Sequence, residues 1–154
     1  MIEVHKLKHL KHTDTLDFFA VDEDAFSSIP MFSDAVQAGF PSPAEDHMDM
    51  DLNLNDHLVQ NPSATFCVKA IGESMKDAGI QSGDIMIVDK SLEPQNRSIV
   101  LAVIDGEFTV KRVNVNDKAL YLMPENSNFS PIKITEEMDF QVWGVVTYII
   151  HKAV

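Results

Sequence analysis

The chain is poor in cysteine and in positive charge. Cys67 stands alone, so an internal disulfide is excluded. Its setting between Phe66 and Val68 predicts a buried strand, where a thiol is inert. Lys and Arg number 12 against 24 Asp and Glu, for a formal net charge of −12. Because DNA binders and proteins on anionic lipid need basic surfaces, we expect neither direct DNA binding nor membrane docking.

Long apolar runs are also missing. The longest, residues 99–104 and 142–150, fall short of the roughly 20 residues that a transmembrane helix needs. Lysines at positions 6, 8 and 11 are followed by no apolar core, so we expect no signal peptide. The lone cysteine suits a reducing compartment. The 154 residues, 45% of them hydrophobic, are enough for one domain with a core and a tail.

The N-terminal residues 1–29 read as a mobile arm. His5, His9 and His12 are spaced i, i+4 and i+7, which would put them on one face of a helix. Such a face can bind a metal, but no acidic or cysteine ligand stands beside them. We therefore favour a solvated tail and expect no metal and no cofactor.

From Ala64 onward the pattern is typical of β-structure. Short runs rich in β-branched residues predict strands over 65–70, 85–88, 99–104, 108–113, 119–123 and 142–150. Asp105-Gly106 is a strong signal for a two-residue hairpin turn. Residues 53–60 predict a short helix capped by Asn53 or Asn55. The expected fold is mainly β: a compact, mostly antiparallel, partly closed barrel-like sheet with a flexible N-terminal arm.

Two residues carry the candidate chemistry. Ser74 lies in the turn Gly72-Glu73-Ser74-Met75 between two apolar runs, and Lys111 lies inside the predicted strand 108–113. A serine hydroxyl needs a base to become a nucleophile, and a lysine serves when burial keeps it neutral. Strand alternation places Lys111 on one face with Thr109 and Val113, which is consistent with a desolvated amine.

Each residue also has a structural interpretation. Ser74 would cap a helix whose first turn is Met75 to Ala78. Lys111 would be an exposed lysine on an edge strand, where it discourages aggregation. The catalytic interpretation requires Ser74 and a buried Lys111 to lie close together, whereas the structural interpretations do not.

Several further motifs, in one order, extend the pattern from about residue 30 to the end of the chain. Ala38 precedes Ser74 by 36 positions, and Lys111 follows Ser74 by 37. The other motifs are Phe32-Ser33-Asp34, Gly39-Phe40-Pro41-Ser42-Pro43-Ala44, Pro62-Ser63-Ala64-Thr65, Gly83-Asp84, Ile87-Val88-Asp89, Asp105-Gly106-Glu107-Phe108-Thr109-Val110-Lys111 and Gly144-Val145-Val146. In these motifs and intervals the chain resembles the LexA/UmuD family of self-cleaving Ser-Lys peptidases.

The resemblance implies a function and a set of partners. Ser74, activated by Lys111, would cut the Ala38-Gly39 bond, with the N–H groups of Ser74 and Glu73 as the oxyanion hole. Residues 1–38 would then be the arm that is removed, and 39–154 the β-rich peptidase domain. The family role is in the bacterial, cytoplasmic SOS response to DNA damage. Its partners are a second copy in a homodimer, a RecA filament on single-stranded DNA, a UmuC-type error-prone polymerase and the replication sliding clamp.

Departures from the family and other classes of function remain open at this point. Relatives commonly carry Gly-Asp before the Ile-Val strand, where this chain has Arg97-Ser98, and its N-terminal arm is longer. The strand 142–150 is either a dimer edge or an internal core strand. The alternative functions are a non-catalytic partner-binding module and a repressor fragment without its DNA-binding domain.

Overall fold

The computed structural model describes residues 8–12, 16–21, 28–31 and 50–154. For residues 8–12, Ser28 and Met50 the description covers the backbone alone. None of the helices in these ranges is long and apolar enough to span a membrane.

The described residues form eleven strands and one short α-helix. The strands are β1 (Lys8–His12), β2 (Leu16–Ala20), β3 (Ser28–Met31), β4 (Met50–Asn53), β5 (Thr65–Ala70), β6 (Ile85–Asp89), β7 (Ile99–Ile104), β8 (Glu107–Asn116), β9 (Ala119–Met123), β10 (Ile132–Lys133) and β11 (Phe140–Ile150). Helix α1 spans Leu54–Leu58, and short 3-10 turns span Pro62–Ala64 and Lys76–Ala78. The predicted mainly β class is confirmed.

Nine of the described strands form one sheet in the order β1-β2-β5-β6-β11-β7-β8-β9-β10, while β3 and β4 pair separately. Every described pairing is antiparallel. The sheet ends at β1 and β10, which do not pair with each other, so the described part is not a closed barrel. Strand β11 pairs with β6 on one side and β7 on the other, which confirms the internal-strand interpretation.

Local sequence signals explain the elements around the future site. Asp105 and Gly106 both adopt positive φ, at 49° and 84°, which is the backbone of a type I′ turn, and they join β7 to β8. The Asn53 side chain accepts a 3.0 Å hydrogen bond from the amide of Asn55 and so caps α1 as predicted. The Asp105-Gly106 turn places Lys111 five residues after Gly106, in a strand whose register with β7 is fixed.

The N-terminal arm differs from its prediction. Part of it forms β1 and β2, and β2 pairs with β5 along its whole length. Leu16 and Phe18 are each only 4% exposed and belong to the core. Leu16 and Phe18 are two positions apart, so in a strand both side chains point to the same face. Their burial in the core holds β2 against the edge of β5. The segment is too short for its periodicity to stand out in the sequence.

The core has two clusters of buried residues. One is built around Val68, Met86, Val88 and Leu101, and the other around Val100 and Leu122 with their neighbours. Cys67 is buried, as predicted, and desolvation raises the pKa of its thiol to about 11. The thiol is therefore protonated at neutral pH and unreactive.

The turn at Arg97-Ser98 forms without a glycine. Arg97 adopts φ of 77°, a left-handed conformation that favours glycine. Its amide donates to Val113 O at 2.8 Å, and the amide of Val113 donates to Ser98 O at 2.8 Å. These two backbone hydrogen bonds hold the turn at the start of β7, although Arg97-Ser98 stands where relatives commonly have Gly-Asp.

Candidate active site

Ser74 lies in the loop between β5 and β6. The 3-10 turn that follows spans Lys76–Ala78, and its N-cap position is Met75, which makes no side-chain capping bond. The helix-cap interpretation of Ser74 is therefore wrong. Its hydroxyl oxygen is instead close to the amine of Lys111.

Lys111 lies in an internal strand of the sheet. Strand β8 pairs with β7 on one side and β9 on the other, so the edge-strand interpretation is wrong. The residue is only 8% exposed. The residue paired opposite it, Val100, is completely buried. Lys111 therefore lies in a buried stretch of β8, on a face with small or apolar neighbours, as the sequence alternation predicted.

Three oxygens surround the Lys111 amine. Nζ is 3.1 Å from Ser74 Oγ, 2.9 Å from Thr109 Oγ1 and 3.0 Å from the carbonyl oxygen of Val110. As an ammonium, Lys111 can donate to all three. As a neutral amine it can donate to Thr109 and Val110 and accept the Ser74 proton. Both protonation states are thus satisfied, as a group that takes and returns a proton requires.

The electrostatic setting favours the neutral amine. Burial lowers the pKa of Lys111 below that of a free lysine, because water no longer solvates the ammonium. Within the described ranges no carboxylate forms an ion pair with Nζ. A carboxylate there would favour the charged form and oppose the effect of burial.

The loop after β9 holds the backbone around Ser74. The Glu125 amide donates to Ser74 O at 2.8 Å, and the Glu125 carbonyl accepts from the Asp77 amide at 2.8 Å. Asn126, only 5% exposed, donates through Nδ2 to Glu73 O at 2.8 Å. These bonds to Glu73 O and Ser74 O fix the peptides that carry the Ser74 and Met75 amides. Neither the Glu73 nor the Ser74 N–H group has a hydrogen-bond partner among the described residues.

Arg112 connects this support to the rest of the sheet. Its Nε forms an ion pair with Glu125, and its Nη1 donates to Arg97 O at 2.8 Å. Strand alternation points Arg112 away from the face of Lys111. It therefore steadies the loop that holds Ser74 and does not enter the Ser74–Lys111 contact.

A cleft of about 260 Å³ opens over the two residues. Besides Ser74 and Lys111, its walls are largely apolar and include Leu16, Ile71, Ile80, Phe108 and Phe129. An apolar cleft beside a serine suits an extended peptide with small or hydrophobic side chains.

Three residues at this site are not predicted from the sequence. Alternation places Thr109 on the face of Lys111, but it does not predict the hydrogen bond between the two side chains. Leu16 lies far away in sequence, in a segment we expected to be an arm. Asn126 stands in a loop whose polar residues resemble those of any turn, and no local signal distinguishes it.

The proposed scissile residues Ala38 and Gly39 lie outside the described residues, as does His5. Strand β3 ends at Met31 and β4 begins at Met50, so the described chain brackets the bond without including it. Within the described ranges no cluster of three or more His, Cys, Asp or Glu residues has the arrangement of a metal site.

Comparison with known proteins gives the family. Residues 30–147 match the family described as Peptidase S24-like. The chain belongs to this family. The matched region includes Ala38, Gly39, Ser74 and Lys111, and it begins after β1 and β2.

Three relatives illustrate the extent of the similarity to known proteins. Protein SamA of Salmonella typhimurium is 46% identical over 130 residues, covering 84% of this chain and 90% of SamA. Protein ImpA of Escherichia coli is 44% identical over 124 residues, covering 80% and 83%. Protein MucA of Escherichia coli is 42% identical over 122 residues, covering 79% and 83%. The resemblance to the LexA/UmuD family is confirmed.

Proposed function

We propose that this S24-like chain is a self-cleaving serine peptidase in which Ser74 is the nucleophile and Lys111 the base. The observation that carries this proposal is the 3.1 Å contact between Ser74 Oγ and a buried lysine amine. Membership in a peptidase family supports it further. The bond that we assign as the substrate is Ala38-Gly39, because of its spacing from Ser74.

The reaction starts with proton transfer. Neutral Lys111 accepts the proton of Ser74 Oγ, and the oxygen attacks the carbonyl carbon of Ala38. The amides of Ser74 and Glu73 donate to the oxyanion that forms. The C–N bond then breaks, and the Lys111 ammonium gives its proton to the departing amine of Gly39. Water hydrolyses the resulting ester with Lys111 again as base.

Small residues at the cut suit this mechanism. Ala38 and Gly39 place little bulk where the chain must approach Ser74, and glycine permits backbone conformations that other residues avoid. Because the substrate belongs to the same chain, its effective concentration is high without an extended binding surface. Residues 1–38 are then the part removed, and residues 39–154 the retained peptidase domain.

A tethered substrate needs control, and the family suggests how. A RecA filament on single-stranded DNA would favour the state in which the scissile segment is seated at Ser74, a shift in population. The shortened form, as a homodimer, would support a UmuC-type error-prone polymerase in the bacterial SOS response, with the sliding clamp as a further partner. This role places the protein in the cytoplasm.

Intact-mass measurement tests the proposed cleavage. Purified chain incubated at alkaline pH should yield two fragments, one ending at Ala38 and one beginning at Gly39. Ser74→Ala should stay whole. Gly39→Glu should also stay whole while remaining folded, because a bulky charged side chain would not fit an apolar cleft. Cleavage at another bond, or equal cleavage in the Ser74→Ala chain, would contradict the assignment.

A further inference from the structure

Strand β2 covers an edge that would otherwise be open. Five consecutive pairs join it to β5, from Leu16 opposite Ala70 to Ala20 opposite Phe66. On its other side β5 pairs with β6. Removing β2 would therefore expose one row of β5 backbone groups, and exposed sheet edges accept added strands.

Phe18 anchors β2 in an aromatic cluster. Its ring centroid is 4.8 Å from that of Phe108, 6.1 Å from Phe66 and 6.5 Å from Trp143. Ala20 and these same rings line a groove of about 440 Å³. Leu16, at the other end of β2, reaches the cleft of Ser74 and Lys111. The strand thus makes side-chain contacts as well as backbone contacts with the domain.

A second strand pairing crosses the bond that we propose is cut. Strand β3 precedes Ala38, strand β4 follows Gly39, and the two pair antiparallel, with Ser28 opposite Asn53 and Met31 opposite Met50. Cleavage between them leaves both strands, and also β2 and β5, in place. A cut at this bond therefore breaks the chain without breaking any of the described strand pairings that join its two parts.

From these contacts we propose that the edge of β5 and the rings of Phe66, Phe108 and Trp143 form a strand-docking site whose occupant is the chain's own segment Leu16–Ala20. The fragment 1–38 stays bound after the cut, and its displacement is a separate step that uncovers the β5 edge. This inference rests on the proposed cleavage at Ala38. Strands β1 and β2 both lie outside the region matched to the S24-like family, residues 30–147.

A cut made by an added protease tests the docking without self-cleavage. The full chain carrying Ser74→Ala receives a recognition site for an unrelated protease in place of residues 36–41 and is cut while folded. Mass measurement under denaturing conditions confirms the cut. Gel filtration then shows whether the two fragments stay together. We expect one-to-one co-elution at the volume of the uncut chain, with the β5 amides as protected from hydrogen exchange as before.

Matched variants locate the contact on one face of β2. Phe18→Ala removes the ring from the aromatic cluster and should release the fragment from the cut chain. Phe19→Ala removes the same side chain one position later, on the face opposite the aromatic cluster, and should leave more of the fragment bound than Phe18→Ala does.

The behaviour of the parent chain decides the proposal, whether or not Phe18→Ala folds. Free elution of the small fragment from the cut parent would overturn it. Retention only in dimers, lost when the protein is diluted to monomer, would also overturn it, because the strand would then come from a second copy. Since the protease cut does not use Ser74, a failure here is distinct from a failure of self-cleavage.

Discussion

Lys111 is suited to act as a base because burial disfavours its charged form and no carboxylate among the described residues pairs with its amine. Burial lowers the pKa of its amine, and its three hydrogen-bond neighbours are the uncharged oxygens of Ser74, Thr109 and Val110. An arginine in this position would stay protonated, since the guanidinium does not lose its proton in proteins. The proposed mechanism thus depends on an amine in particular, and on its burial.

The rate of self-cleavage should therefore rise with pH. More of the protein holds neutral Lys111 as pH increases, and the apparent pKa should lie below the roughly 10.4 of a free lysine. Lys111→Ala should lose on the order of 10²–10⁴-fold in rate, the usual contribution of a general base. Lys111→Arg should fail too. The measurement is a rate–pH profile by intact mass, and near-parental cleavage in Lys111→Ala would remove Lys111 from the mechanism.

Thr109 should act by orienting Lys111 and not by touching the substrate. Thr109→Val keeps the shape but removes the 2.9 Å hydrogen bond to Nζ. A hydrogen bond worth about 1 kcal/mol corresponds to cleavage about five-fold slower. Because one neutral partner of the amine is lost, the midpoint of the rate–pH profile should also move.

Thr65→Val is the matched control for Thr109→Val. Its hydroxyl donates to Asn61 O at 2.7 Å in another part of the chain. The control should lower stability without shifting the pH profile. If both variants left that profile unchanged, Thr109 would have only a structural role.

At the scale of the elements, β11 is the strand that joins the two halves of the sheet. It pairs with β6 and β7, and its register with β7 shifts between Val142 and Gly144. At Gly144 the backbones come close together: a Cβ would lie 2.6 Å from Val88 Cγ1 and 2.9 Å from Asp89 O. The absence of a side chain there allows β11 to pack against the end of β6.

Gly144→Ala should therefore destabilise the fold by about 1–3 kcal/mol, the usual range for overpacking in a core. Part of the clash is with backbone, which cannot move aside as a flexible side chain can. Urea unfolding of parent and variant measures the change. An unaltered midpoint would show that the sheet accommodates the methyl group without strain.

The sequence predicts the elements that carry their own local signals. The bounds of β5, β7 and β9 follow from apolar runs between turn residues, and the β7–β8 turn follows from Asp105-Gly106. Strand β2 was missed because its burial depends on a partner, β5, far away in sequence. Loop 124–128 was missed for the same reason: the bond from Asn126 to Glu73 joins residues 53 positions apart.

At the scale of the whole molecule, the net charge bears on the choice of partner, and the buried amine of Lys111 bears on folding stability. A net charge of −12 makes protein partners, and not the phosphate backbone of DNA, the expected targets. The buried amine affects the stability of the fold itself. An unfolded chain leaves Lys111 in water with an ordinary pKa, whereas the folded chain lowers that pKa.

This difference predicts how folding stability depends on pH. Between the lowered folded pKa of Lys111 and its unfolded value of roughly 10.4, the unfolded chain binds more protons than the folded one. Stability then rises with pH through that window. Lys111→Met removes the titrating group, so its free energy of unfolding should lack this rise. Comparing the two chains cancels the other groups that titrate at alkaline pH.

Urea unfolding of both chains between neutral pH and about pH 10 measures the effect, with Ser74→Ala as the background so that neither chain cuts itself. The unfolding free energy of the chain with Lys111 should gain on that of the Lys111→Met chain as pH increases. Parallel curves would mean that the folded protein leaves the pKa of Lys111 at its ordinary value. In that case burial would not supply the neutral amine, and Ser74 would need another source of base.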